Sequence, residues 1–136
     1  MLLWPEPVDS EDRFLRHKTT RRALYDKALG EARKAGCVDA LFRNKRGMLT
    51  EGTIHNVFVR HGSRWRTPPL DAGVLPGVYR AHVLATMPQV EEREITMREL
   101  LNAEEIRLTN AVRGIRVIER VVPRDSSQMR RQRMLS

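Results

Sequence analysis

The stretch DALFRNKRGMLTEGTIHNVFVR (Asp39–Arg60) decides the fold. Residues 38–43 have the apolar content of a strand, and NKRG (44–47) is a turn that ends on glycine. MLTEG followed by TIHNVFVR then supplies returning strands, so the segment reads as a β-meander. Working outward, HGSR (61–64) is a second turn and WRT (65–67) a short strand ended by Pro68-Pro69. VEEREI (90–95), EIRLTN (105–110) and GIRVIERVV (114–122) are strand-like.

Helical patterns sit between these strands. Ala23, Leu24, Ala28, Ala32 and Ala35 recur near helical spacing, which predicts a helix over 19–35 with Thr19 or Thr20 as its cap and Gly36 as its stop. Pro76-Gly77 opens a second helix over 77–87, with Pro88 behind it. Thr96 with Glu99 three residues later is a capping box for a short third helix ending near Ala103. Residues 1–15, with Pro5, Pro7 and several acids, read as an arm without sustained period. The class is therefore mixed α/β.

The chain has 136 residues, the size of one ordinary domain. With 40% hydrophobic and 31% charged residues it has a soluble globular composition, and no apolar run approaches a membrane span. The opening lacks a signal peptide's basic head and long apolar stretch, so a membrane partner is not expected. Cys37 is alone, which excludes a disulfide framework and makes the reducing cytoplasm the expected compartment. The four histidines and one cysteine show no zinc spacing, so no metal is expected.

A net charge of +8 invites a nucleic-acid reading. Part of the excess lies in the tail at 123–136, which holds four arginines and one aspartate and reads as a disordered basic end. The rest has 21 basic against 16 acidic residues, interleaved, and aromatics are only 5% of the chain. Nucleic acid is not the expected partner.

Lys18 stands at the head of the first helix, with Arg21 and Arg22 close behind. A lysine is normally favoured at the other end, because a helix N-terminus carries partial positive charge. Lys18 is therefore either one of 25 solvated basic residues or an amine made reactive, since that charge and the neighbouring cations disfavour an ammonium and leave more neutral amine for attack on an aldehyde. Glu51 lies between strand-like segments, beside Gly52. In LDAGVLPGVYR (70–80), the glycine after proline leaves backbone N–H groups at a helix start, an arrangement that binds phosphate. LTNAVRGI (108–115) places small and polar residues just after a strand, where further backbone donors can meet an anion. An amine, a carboxylate and two sets of phosphate-binding N–H groups are the parts of a pyridoxal phosphate site.

The same stretches, in the same order, carry a resemblance. HKTTRRALY, DALFRNKRGMLTEGTIHNVFV, TPPLDAGVLPGVYR and LTNAVRGI look like the C-terminal, cofactor-binding half of the class IV pyridoxal-phosphate enzymes, a group that includes branched-chain aminotransferase, D-amino-acid aminotransferase and aminodeoxychorismate lyase. The resemblance covers roughly residues 16–120, so 16–122 is expected to be the cofactor-binding domain. It implies a mixed, barrel-like sheet flanked by helices. It also implies Lys18 as the lysine that joins the cofactor's aldehyde and moves protons, and Glu51 as the partner of the pyridine nitrogen. Backbone groups at Gly77, Val78 and Tyr79, joined by Asn110 and Ala111, would bind the phosphate, with Asn56 a polar position near the site.

The resemblance has departures. Family members carry a smaller N-terminal domain before the lysine, which supplies a pocket wall and a phosphate-clamping arginine. Here 17 residues precede Lys18, and Arg13 or Arg16 is a candidate replacement for that clamp, though nothing in the spacing requires it. The chain would then be a fragment, a half that pairs with a separate small domain, or a relative that no longer catalyses. Ala23 stands where several transaminases have tyrosine, Tyr79 where threonine is usual, and Ala111 where the branched-chain enzymes have threonine. These differences lean toward the lyase branch, which forms 4-aminobenzoate and pyruvate from 4-amino-4-deoxychorismate in folate biosynthesis. A class IV aminotransferase is the alternative. The family's usual homodimer is expected, acting on a small-molecule amino substrate.

Overall fold

The computed structural model describes residues 1–8, 18–74, 76–110, 114–118 and 122–123, with side chains described except at 18–21, 116–118 and 122–123. The elements are β1 (Leu2–Leu3), α1 (Lys18–Lys34), β2 (Ala40–Arg43), β3 (Leu49–Gly52), β4 (Asn56–His61), β5 (Arg64–Thr67), α2 (Val78–Thr86), β6 (Val90–Glu92), α3 (Met97–Leu101), β7 (Glu105–Asn110), β8 (Gly114–Ile118) and β9 (Val122–Pro123). A 3-10 turn at Leu70–Ala72 leads into α2.

The strands form two sheets, ordered β3-β2-β1-β9 and β6-β5-β4-β7-β8, where one barrel-like sheet was expected. The sheets do not close into a barrel. The break falls at 53–55: β3 ends at Gly52 as an edge of the first sheet, and β4 begins at Asn56 in the middle of the second. Within the second sheet the meander holds, with β4 antiparallel to both β5 and β7, and β7 antiparallel to β8. β6 joins β5 in parallel, which requires the crossover that α2 provides.

The opening residues, read as part of an arm, are structural. Leu2 and Leu3 pair in parallel with Ala40 and Leu41, and on the other side with Val122 and Pro123. The Leu2, Trp4 and Val8 N–H groups donate to Asp39, Leu41 and Arg43 carbonyls at 3.0, 2.9 and 2.8 Å. Pro5 and Pro7 fall between these donors, where a missing N–H costs the β2 pairing nothing. Met1, Leu2, Trp4 and Val8 are all buried, so hydrophobic burial holds this segment in place. Residues 9–15 and 124–136 lie outside the described residues.

Alternation along β2 sends its side chains to two cores. Leu41 packs with Leu49, Val57, Val59, Ile106, Leu108 and Leu100 between the sheets. Ala40 and Phe42 face α1, where Tyr25, Ala28 and Ala32 follow helical spacing and the two alanines are fully buried. Phe42 stacks on Tyr25 at 4.5 Å and meets Trp4 at 6.0 Å. Phe42→Ala is expected to destabilise the chain by about 3–5 kcal/mol, read as a lower urea midpoint, because these rings cannot close over the void.

The capping box is present as expected: the Glu99 N–H donates to Thr96 Oγ1 and the Thr96 N–H to Glu99 Oε1, both at 3.1 Å. The Thr96 N–H holds the Glu99 carboxyl below its ordinary pKa, and the Gly62 N–H does the same for Glu104. A carboxyl with a lowered folded-state pKa adds stability above its unfolded pKa and loses it as pH falls through the folded one. Thr96→Ala keeps that N–H but removes the hydroxyl, which accepts from the Glu99 N–H and also lowers the Glu99 carboxyl; it is expected to cost about 1 kcal/mol near neutral pH, with only part of the deficit shrinking as acid protonates Glu99. Urea titrations of both proteins across the acid range check this.

Candidate functional site

The meander places Glu51 at the end of β3, nearly fully buried. Its Oε2 accepts a hydrogen bond from the Tyr25 hydroxyl at 3.1 Å, so α1 is tied to the carboxylate. Tyr25 is seven residues after Lys18, two helical turns and about 10 Å along α1. Lys18 opens that helix as expected, and the first turn carries no acidic residue to offset its positive end. The side chains of Lys18 and Arg21, and all of Ala111, lie outside the described residues; Arg22 is exposed.

The next turn is folded around one buried carboxylate. Asp39, fully buried, accepts from the N–H groups of Ala40 at 2.7 Å, Thr53 at 3.1 Å and Ile54 at 3.1 Å. The Thr53 hydroxyl also donates to it, and His55 Nδ1 donates at 2.9 Å. Gly52 is glycine by necessity, since a Cβ there would sit 2.2 Å from Asp39 Oδ2.

Asn56 follows, with its amide against the start of α2. A Cβ on Gly77 would lie 2.2 Å from Asn56 Oδ1, so this close approach also demands glycine. Gly77 is the N-cap of α2 and, being glycine, has no side chain to cap the helix. The first intrahelical bond beyond it runs from the Ala81 N–H to the Gly77 carbonyl at 3.1 Å, which leaves the N–H groups of Val78 and Tyr79 to face outward. From β7, Asn110 Nδ2 donates to the Ile54 carbonyl at 2.5 Å and locks the turn from its other side.

These pieces enclose one cleft of about 280 Å³. Five residues singled out in the sequence, Glu51, Gly77, Val78, Tyr79 and Asn110, line it together with Asn56. Sequence reasoning missed Tyr25, Asp39 and His55. Tyr25 had a readable signal, since a spacing of seven from Lys18 returns to the same helix face. Asp39 had none, because its partners lie 14 to 16 residues away.

The donor set suits a pyridine ring that bears a phosphate. A buried carboxylate stands on one wall and an uncapped helix N-terminus on another, where a Cβ at Gly77 would block the approach. The family described as Amino-transferase class IV matches residues 4–121. The chain belongs to this family. Class IV enzymes use pyridoxal phosphate and act on amino substrates.

The chain is similar to branched-chain-amino-acid aminotransferase 6 of Arabidopsis thaliana, at 37% identity over 111 residues, covering 73% of this chain and 30% of that one. It is also similar to aminodeoxychorismate lyase of Saccharomyces cerevisiae, at 33% identity over 133 residues, covering 82% and 35%. Among class IV structures, the branched-chain aminotransferase of Thermoproteus uzoniensis with norvaline superposes with a TM-score of 0.79 at 25% identity, over 88% of this chain and 43% of that one. The chain thus spans about half or less of the length of these relatives. Among the described residues, no helix is long and apolar enough to cross a membrane.

Proposed function

We propose that the chain is the cofactor-binding portion of a pyridoxal-phosphate lyase of the aminodeoxychorismate type. The observation that carries this reading is the shared cleft, where buried Glu51 and the bare N-terminus of α2 face the same space. When bound, pyridoxal phosphate supplies an electron sink for the bond being broken. The chain's residues have separate tasks around it. The Glu51 carboxylate, oriented by Tyr25, would accept a hydrogen bond from the protonated ring nitrogen and keep the ring cationic. The Val78 and Tyr79 N–H groups, with Asn110 and Ala111, hold the phosphate. Lys18 anchors the cofactor through its amine and then carries a proton to or from the substrate.

Two features favour the lyase branch. Tyr79 stands where threonine is usual, and residues 109–111 read Thr-Asn-Ala. Relatives bearing both names lie near the same identity, so the product decides between them. The purified chain, loaded with pyridoxal phosphate and given 4-amino-4-deoxychorismate, is expected to release 4-aminobenzoate and pyruvate in equal amounts. Accumulation of pyridoxamine phosphate from an amino acid, without 4-aminobenzoate, would assign it to the aminotransferases. Neither product would make it a half that needs a separate small domain or does not catalyse. We place the working protein in the cytoplasm as a homodimer.

A further inference from the structure

We infer that the buried Asp39–His55 pair is a positioning element for the phosphate end of the cleft; the inference rests on the pyridoxal-phosphate reading above. Both side chains are completely buried and joined at 2.9 Å through His55 Nδ1. Neither belongs to the set of residues assigned to hold the cofactor. Their effect is exerted through the turn that carries His55 and lines the cleft.

That turn, residues 52–55, has little regular structure to support it. It joins two strands that belong to different sheets, so no continuous ladder fixes its path. Asp39 substitutes for the ladder. Its two oxygens draw in the consecutive N–H groups of Thr53 and Ile54, the Thr53 hydroxyl and the His55 ring. Consecutive N–H groups converging on one anion form a concave nest, here filled by the protein's own carboxylate. The Gly52 N–H closes the turn on the His55 carbonyl at 2.9 Å.

The folded turn is then coupled to both phosphate-facing elements. Its Ile54 carbonyl receives the Asn110 amide, which fixes the end of β7. Its next residue, Asn56, sets its amide against Gly77, the residue that starts α2. The same turn lines the cleft from Glu51 through Asn56. A shift of a few tenths of an ångström at Asp39 therefore moves the Asn56–Gly77 and Ile54–Asn110 contacts together.

Asp39 as acceptor sets His55 Nδ1 as the donor nitrogen, and among the described residues Nε2 is buried without a hydrogen-bond partner. A buried nitrogen left unsatisfied is costly, and the gain on the other side of the ring is the contact with Asp39. The contact with Asp39 is what the histidine ring supplies to the turn.

The test compares dissociation constants for pyridoxal 5′-phosphate and for pyridoxal, which lacks the phosphate, by fluorescence titration. The variants are His55→Leu, which removes the donor, and His55→Asn, whose amide nitrogen can occupy the Nδ1 position. His55→Leu is expected to weaken pyridoxal phosphate roughly 10-fold with pyridoxal unchanged, and His55→Asn to restore most of the loss; a lost charge-assisted hydrogen bond has about this size. Asp39→Asn is expected to shift the same ratio in the same direction. Equal weakening of both ligands, or no change in either, would overturn the inference and leave the cofactor reading standing. A wild-type chain that binds the two ligands equally would overturn the cofactor reading itself. If His55→Leu does not fold, Thr53→Ala removes one hydroxyl donor to the same carboxylate and is read against the same ratio.

Discussion

Lys18→Ala is expected to abolish covalent capture of pyridoxal phosphate. Wild-type chain treated with the cofactor and then borohydride should retain about one equivalent, and the variant essentially none. The physical basis is local to the head of α1. The helix N-terminus disfavours an ammonium, and the first turn has no acid to stabilise one. A neutral amine at that place is a nucleophile at ordinary pH. Lys27, Lys34 and Lys45 remain in the variant as internal controls for unspecific labelling. Lys34 lies in the last turn of the same helix, where the dipole favours the charged form. Reversible binding should persist in the variant, because Glu51 and the start of α2 are untouched. Equal labelling of both proteins would remove Lys18 from the chemistry.

Asp39→Ala is expected to be the most destabilising single change at the site. It removes the acceptor of three backbone N–H groups, a hydroxyl and an imidazole at once. Loss of one member of a buried pair costs about 3–5 kcal/mol, and each stranded donor adds to that. A small domain has only about 5–15 kcal/mol in total, so the variant should melt far below wild type or fail to accumulate folded. Urea unfolding measures it. A loss under about 1 kcal/mol would show that water takes the place of the carboxylate, and that the turn does not depend on it.

Local signals were legible in the sequence. The meander, the Pro-Gly start of α2 and the Thr96–Glu99 box each depend on residues a few positions apart, and each is present. Of the candidate site, what was legible is which residues share a cleft: Glu51, Gly77, Val78, Tyr79 and Asn110 all line one. What depended on distant partners was hidden. The two-residue β1 owes its existence to β2 and β9, some 38 and 120 residues on, and nothing in its own few positions announces a strand. The division into two sheets likewise follows from how Asp39 bends residues 52–55, a contact no periodicity encodes. Tyr25 was hidden for another reason: the resemblance points to the position five after Lys18, occupied by Ala23, whereas the tyrosine that reaches Glu51 lies two residues further along.

The central claim is that one cleft holds the cofactor with its ring nitrogen at Glu51 and its phosphate at α2. A crystal structure of the chain grown with pyridoxal phosphate tests it most directly. Phosphate oxygens are expected about 2.7–3.2 Å from the Val78 and Tyr79 N–H groups, with the ring nitrogen at the same range from Glu51 and continuous density to Lys18. Cofactor density elsewhere on the chain, or a ring turned with its nitrogen away from Glu51, would contradict it.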